Sequence, residues 1–121
     1  MTKLMLVFIG GGLGAMSRFF LTTALAGKLG NFPLGTLIAN LSGSLLMGLL
    51  VGLLAGRTNV ESVRLFFAVG FLGGFTTFSS FSAETLTLIQ HGQIFAASVN
   101  VIVSVTAGLT ACAVGLKIGG N

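Results

Sequence analysis

The sequence predicts an all-α membrane protein with four transmembrane helices, and three observations predict it. Hydrophobic residues make up 54% of the 121 residues and charged residues only 7%, whereas a soluble domain carries roughly 25% charged residues. The apolar residues form four long segments, each close to the ~20 residues that a spanning helix needs. The connections are short, so residues 1–121 are assigned to one transmembrane domain.

The four predicted spans follow one another closely along the chain. They run from about Leu4 to Leu25, Gly35 to Leu54, Leu65 to Ile89, and Ile94 to Leu116. Lys3 before an apolar run is also typical of a signal peptide, but Arg18 lies in the same stretch and the later segments are equally apolar. The first segment is therefore interpreted as a span.

Small residues recur at four-residue spacing, which lets helix backbones approach closely in lipid. These ladders are Gly10 and Gly14; Ser44, Gly48, Gly52 and Gly56; and Gly70 and Gly74. The spacing fits contacts within a subunit or between subunits and leaves that choice open. Because four helices form a thin bundle that encloses a conduit poorly, at least a dimer is expected.

The second span carries a polar stripe. Thr36, Asn40 and Ser44 are spaced four residues apart and so share one helix face. A buried amide in lipid is costly unless it is paired, and it offers two N–H donors. Asn40 is therefore a candidate ligand for a solute or, equally, a hydrogen-bonding contact between helices.

The third span combines glycines, hydroxyls and phenylalanines within residues 70–81. Gly73 and Gly74, followed by Thr76 and Thr77, are expected to unwind the helix near the membrane midplane. Unwound backbone in lipid is tolerated only where it is buried or lines a cavity, and its carbonyls coordinate Na⁺ in some transporters. The alternative is a simple kink with close helix packing.

Two aromatic rings follow the expected break on one helix face. Phe78 and Phe81 are three residues apart and are interleaved with hydroxyl side chains such as Ser79 and Ser80. An aromatic ring has a positive edge, which would favour a small anion inside a pore. The alternative interpretation is ordinary packing against lipid or neighbouring helices.

The fourth span is less diagnostic, and the remaining residues exclude several functions. Asn100 and Ser104 share a helix face, while Thr106 and Thr110 can bond their own backbone. The single cysteine, the single histidine and two distant glutamates form no catalytic set and no side-chain metal site. Six Lys and Arg are too few for a nucleic-acid surface, so neither an enzyme nor a nucleic-acid partner is expected.

The basic residues are distributed between the two sides of the membrane with a modest bias. The side that holds both termini has Lys3, Arg57, Arg64 and Lys117, and the other side has Lys28 and Arg18. This weak bias favours cytoplasmic termini but permits insertion in both directions.

Three stretches resemble the Fluc (CrcB) family of fluoride channels. They are GGLGAMSRF at 11–19, GTLIANLSG at 35–43 and GGFTTFSSFS at 73–82. The third stretch is highly specific, and the likeness in length and span layout extends over essentially the whole chain. The resemblance implies an antiparallel, dual-topology homodimer with two pores. A pair of different, oppositely oriented subunits is the lesser alternative.

The resemblance also implies roles for individual residues. The implied fluoride pore residues are Phe78, Phe81, Asn40, Thr36, Ser79 and Ser80. The backbone carbonyls of Gly73 and Thr76, two from each subunit, would hold a structural Na⁺ at the dimer centre. Arg18 and Glu84 match residues near the two pore entrances.

We therefore expect a passive fluoride-selective channel in the bacterial inner membrane that lets cytoplasmic fluoride leave the cell. Two other classes stay open from the residues: a Na⁺-coupled transporter and a small structural or regulatory membrane protein. The first would show flux that depends on a Na⁺ gradient. The second would tolerate replacement of Phe78 and Phe81 without loss of transport.

Overall fold

A computed structural model describes all residues, Met1–Asn121, and is helical apart from short connections and an isolated bridge between Gly27 and Gly30. The elements are α1, Thr2–Leu25; α2, Leu34–Leu54; α3, residues 61–75; α4, Phe78–Gln90; and α5, Ile94–Gly120. Helices α3 and α4 together form the third span, Glu61–Gln90.

All four spans are long and apolar enough to cross a membrane, which confirms the predicted all-α, four-span architecture. The third span begins at Glu61 and the fourth span ends at Gly120, so each extends several residues beyond its predicted apolar limit. Helical hydrogen bonding does not require apolar side chains, so a helix continues into the interfacial layers where hydropathy falls.

Helix α3 is wound more widely than an ordinary α-helix. Its central stretch, Arg64–Leu72, is π-helical, and the N–H of Gly73 donates to the carbonyl of Ala68, five residues earlier. A π-helical stretch of this kind is rare and is often found at functional sites. It is followed by three α-helical residues, Gly73–Phe75, and then by the interruption of the third span.

The predicted unwinding at Gly73 and Gly74 is wrong in position. Gly73 is helical, with φ −62° and ψ −38°, and the chain leaves the helix at Thr76 (ψ 153°) and Thr77 (φ −151°, ψ 121°). Position 74 requires glycine for a reason other than unwinding. A Cβ there would collide with the carbonyl oxygen of Gly11 on α1.

The glycine ladders of the first and third spans pack against each other within one protomer. A Cβ on Gly10 would collide with the carbonyl oxygen of Phe66, and one on Gly14 with that of Phe71. From the α3 side, a Cβ on Gly70 would lie 3.1 Å from the Cα of Gly10. Helices α1 and α3 therefore meet backbone to backbone.

The second and fourth spans form a similar contact. Cβ atoms on Gly48 and Gly52 would strike the α5 backbone, and Cβ atoms on Gly115 and Gly119 would strike α2. Gly56, the last member of the predicted α2 ladder, instead lies in the following turn at φ +70°, where L-residues are rare. Helix α4 packs against the second of these pairs, α2 and α5, which positions the site.

Candidate functional site

The interrupted backbone of the third span is paired with the side chain of Asn40 on α2. Asn40 Nδ2 donates to the Thr77 carbonyl at 3.0 Å, and the Thr77 N–H donates to Asn40 Oδ1 at 2.8 Å. In a continuous helix that N–H would donate to Gly73 instead. One amide thus satisfies both backbone groups of the residue that leaves the helix, as a buried polar backbone in lipid requires.

Thr77 also begins the next helix. Its Oγ1 accepts the N–H of Ser80 at 3.1 Å, which is an N-cap hydrogen bond. The hydroxyls of Thr77 and Ser79 lie 3.2 Å apart. Ser79 is exposed and Ser80 is half-buried, so both predicted hydroxyl residues lie on the first turn of α4, beside the interruption.

Phe78 and Phe81 also lie at the beginning of α4, as the spacing predicts. Their ring centroids are 5.6 Å apart and the rings are tilted by 40°. Phe78 is 78% exposed and lines a cleft of about 320 Å³ together with Asn40, Thr76 and Thr77. The structure therefore brings three predicted site residues, Asn40, Thr76 and Phe78, into one cavity.

Thr36 and Glu84 are joined by a hydrogen bond between α2 and α4. Thr36 Oγ1 donates to Glu84 Oε1 at 2.9 Å, and Thr36 itself is buried. The second carboxylate oxygen, Oε2, is buried without a hydrogen-bond partner. A buried acceptor of this kind has capacity for one more donor.

Arg18 contacts the end of the first half of the third span. Its Nε donates to the Gly74 carbonyl at 3.0 Å. That carbonyl lies in the last turn of α3, where a helix carries partial negative charge and a cation is stabilising. Arg18, which the resemblance associates with a pore entrance, thus has a structural contact within the protomer.

Gly73 and Thr76 are the predicted Na⁺ ligands. Gly73 lies in the last turn of α3, and Thr76 is the first residue after that helix. The Thr77 N–H is bonded to Asn40 and so leaves the Gly73 carbonyl without that intrahelical donor. Gly73 is exposed on the protomer. The chain has no group of three or more His, Cys, Asp or Glu side chains that could hold a metal.

Two connected hydrogen bonds include Thr85, a residue that the sequence did not single out. Asn100 on α5, only 1% exposed, donates to Thr85 Oγ1 at 2.9 Å, and the Thr85 hydroxyl donates to the Phe81 carbonyl at 2.7 Å. The usable signal was the position of Thr85, four residues after Phe81 and on the same helix face.

The other polar residues of the fourth span divide into two kinds. Thr106 and Thr110 donate to carbonyls four residues earlier in their own helix, as predicted. Ser104 instead has a buried Oγ without a hydrogen-bond partner. Only the face that carries Asn100 and Ser104 therefore turns polar groups toward the interior.

Known proteins match this chain along almost its full length. Residues 5–116 match the sequence model of a family described as "CrcB-like protein, Camphor Resistance (CrcB)". A protein of Novosphingobium aromaticivorans named "Fluoride-specific ion channel FluC" is 51% identical, with 98% of this chain and 96% of that protein covered.

Proteins with the same name in two other bacteria show similar likeness. The one from Francisella tularensis subsp. mediasiatica is 48% identical, with 95% of this chain and 92% of that protein covered. The one from Coxiella burnetii (strain Dugway 5J108-111) is 42% identical, with 97% of each chain covered.

Proposed function

This chain belongs to the CrcB-like family, and on that premise we propose that it is a multi-pass membrane channel that passes fluoride selectively and passively. The observation that carries the proposal is its likeness, over nearly the full length, to proteins named fluoride-specific ion channels. A channel performs no turnover chemistry, so the protein is not an enzyme. In a bacterium it would lie in the inner membrane and lower fluoride toxicity by letting cytoplasmic fluoride leave.

The proposed pore residues lie along α2 and the beginning of α4. The side-chain amide of Asn40 has two N–H groups, one of which donates to Thr77, so the other is free to donate to fluoride. The ring edges of Phe78 and Phe81 add weak positive contacts. Many weak donors can replace the tightly held water of fluoride without trapping the ion.

Hydroxyl groups complete the proposed path. Ser79 and Ser80 lie beside the rings on the first turn of α4. Thr36 lies one helical turn from Asn40 along α2, where it is bonded to Glu84. We place Glu84 and Arg18 in the vestibule of this path.

The direct test is fluoride efflux from proteoliposomes, measured with a fluoride electrode. We expect rapid fluoride efflux, much slower chloride efflux, and no requirement for a Na⁺ gradient. Equal fluoride and chloride fluxes would contradict the proposed selectivity. Flux that requires a Na⁺ gradient would indicate a coupled transporter instead.

We propose that two protomers assemble antiparallel as a homodimer with two pores, with a heterodimer as the lesser alternative. The small difference in the number of basic residues between the two sides of the membrane supports this assembly, because it permits both orientations. The exposed ion pair between Lys3 and Glu61, at 2.7 Å, reduces the charge on the more basic side further. Labelling of a cysteine added at either terminus, in a Cys112→Ala background, should show about half of the copies facing each side of the membrane. Uniform labelling from one side would contradict a homodimer of this kind.

The same assembly would bring the carbonyls of Gly73 and Thr76 from both protomers together around a Na⁺ ion. Carbonyl oxygens suit this hard cation. Within the protomer, Gly73→Ala is sterically permitted, because its Cβ would lie 3.8 Å from the nearest atom, the Ala68 carbonyl oxygen. We therefore expect Gly73→Ala to leave the protomer fold intact but to change the Na⁺ dependence of dimer formation. If the wild type and Gly73→Ala each formed the same fraction of dimer in Na⁺ as in N-methylglucamine, the proposed Na⁺ site would be overturned.

A further inference from the structure

Two arginines line one cleft where the second span ends and the third begins. Arg57 and Arg64 border a space of about 460 Å³ whose other walls are mostly apolar side chains such as Leu50 and Leu54. The single ion pair in the structure joins Lys3 and Glu61. The acid closest in sequence to Arg64 is therefore already paired, and the cleft holds two positive charges with no carboxylate partner.

The arginine cleft itself extends into the membrane along α2 and α3. Its apolar walls include Met47 and Val51 of α2 and Ala68 of α3. Met47 lies roughly 10 Å deeper along α2 than Leu54, at 1.5 Å per residue. The cleft thus joins a basic end near the membrane surface to an apolar groove within the membrane.

We infer that this cleft binds an anionic phospholipid, with the phosphate on Arg57 and Arg64 and one acyl chain along the apolar walls. Basic pockets between transmembrane helices recognise anionic lipid headgroups in this way, and arginine suits the geometry of a phosphate. None of the proposed pore residues lines this cleft, and the inference does not depend on fluoride conduction.

A second copy of this chain is a poorer occupant on grounds of charge. The chain has only two acidic side chains. Glu61 is paired with Lys3, and Glu84 is bonded to Thr36 between helices. A partner protomer therefore offers no free acidic side chain to neutralise two arginines, and burying unpaired charges is costly.

The test counts lipid bound to the purified full-length protein in detergent by native mass spectrometry. Phosphatidylglycerol and phosphatidylcholine are titrated separately, and glycerophosphate is added as a soluble competitor. We expect the wild-type protein to prefer phosphatidylglycerol. The double variant Arg57→Gln/Arg64→Gln should bind it roughly thirtyfold more weakly.

The matched control is Lys28→Gln/Lys117→Gln, which removes the same charge but leaves the cleft intact and should bind phosphatidylglycerol like the wild type. A second variant, Val51→Trp, obstructs the apolar part of the cleft and keeps both arginines, so it should weaken binding severalfold. Val51 is 52% exposed, so the larger side chain need not disturb the fold.

Four results would overturn the inference. One is equal binding of the two lipids, and another is equal loss in the lysine control, which would indicate net charge alone. Full displacement by glycerophosphate would indicate a headgroup-only anion site. Loss of the dimer in the arginine variant, seen by size-exclusion chromatography, would assign the face to a subunit interface.

Discussion

The two halves of the third span are held in opposite ways. Helix α3 packs by bare backbone, with Gly70 and Gly74 against the glycines of α1. Helix α4 is held by side-chain hydrogen bonds to α2 and α5. These bonds join Asn40 to Thr77, Thr36 to Glu84, and Asn100 to Thr85. The first half is therefore a steric support, and the second half is a polar segment whose position depends on a few individual side chains.

This difference separates stability from conduction. Overpacking a tight contact costs about 1–3 kcal/mol, whereas hydrogen bonds between helices in membranes average only about 0.6 kcal/mol. Changes in α3 should therefore act mainly on folding. Changes in α4 and its partners should act mainly on fluoride flux, because this half carries the proposed pore residues.

The largest effect is expected for Gly14→Val in the backbone contact. Its Cβ would collide with the carbonyl of Phe71, so we expect loss of monodisperse protein or destabilisation by roughly 3 kcal/mol. The matched control is Gly12→Val on the same helix, because nothing lies within 4 Å of a Cβ at that position. Thermal unfolding in detergent measures both, and equal unfolding temperatures would contradict the steric support.

The next effect is expected for Phe81→Ile in the polar half. Removing a ring edge from the proposed path should lower fluoride flux roughly tenfold or more, while dimer assembly stays intact. Phe95→Ile is the control, because Phe95 is 83% exposed at the beginning of α5. Proteoliposome efflux distinguishes them. Wild-type flux in Phe81→Ile would remove this ring from the proposed pore.

A smaller effect is expected for Asn40→Ala, which leaves both Thr77 backbone groups without their partner. We expect destabilisation by about 1–2 kcal/mol, together with reduced flux. Asn40→Asp keeps the acceptor for the Thr77 N–H but sets a carboxylate oxygen against the Thr77 carbonyl, so it should recover neither the stability nor the flux. The control is Ser42→Ala, because Ser42 donates to the Ile38 carbonyl of its own helix. Unchanged stability in Asn40→Ala would show that the interruption does not need the amide.

The smallest effect is expected for Asn100→Ala, at about 0.6 kcal/mol and a severalfold change in flux. Because Asn100 and Thr85 share one hydrogen bond, Asn100→Ala and Thr85→Val should be non-additive in a double-mutant cycle. The control is Thr106→Val, because the Thr106 hydroxyl bonds only its own helix. Additive effects on flux would show that this contact does not position Phe81.

The sequence by itself determined the membrane location and the number of spans, and it singled out the residues that are proposed to line the pore. Low charge and four apolar segments leave no alternative to spanning helices, since every backbone polar group must be satisfied in lipid. Helical spacing also predicted that Thr36 and Asn40 share a face, and that Phe78 and Phe81 do.

Only the tertiary structure decided which group each of these residues meets. Helical periodicity assigns a residue to a face but does not say which helix lies opposite. The interruption therefore lies at Thr76 and Thr77 rather than at the glycines, because Asn40 across the interface supplies the lost backbone partners. Gly74 stays helical, and position 74 requires glycine because α1 leaves no room for a Cβ, which is a restriction on space rather than on backbone angles.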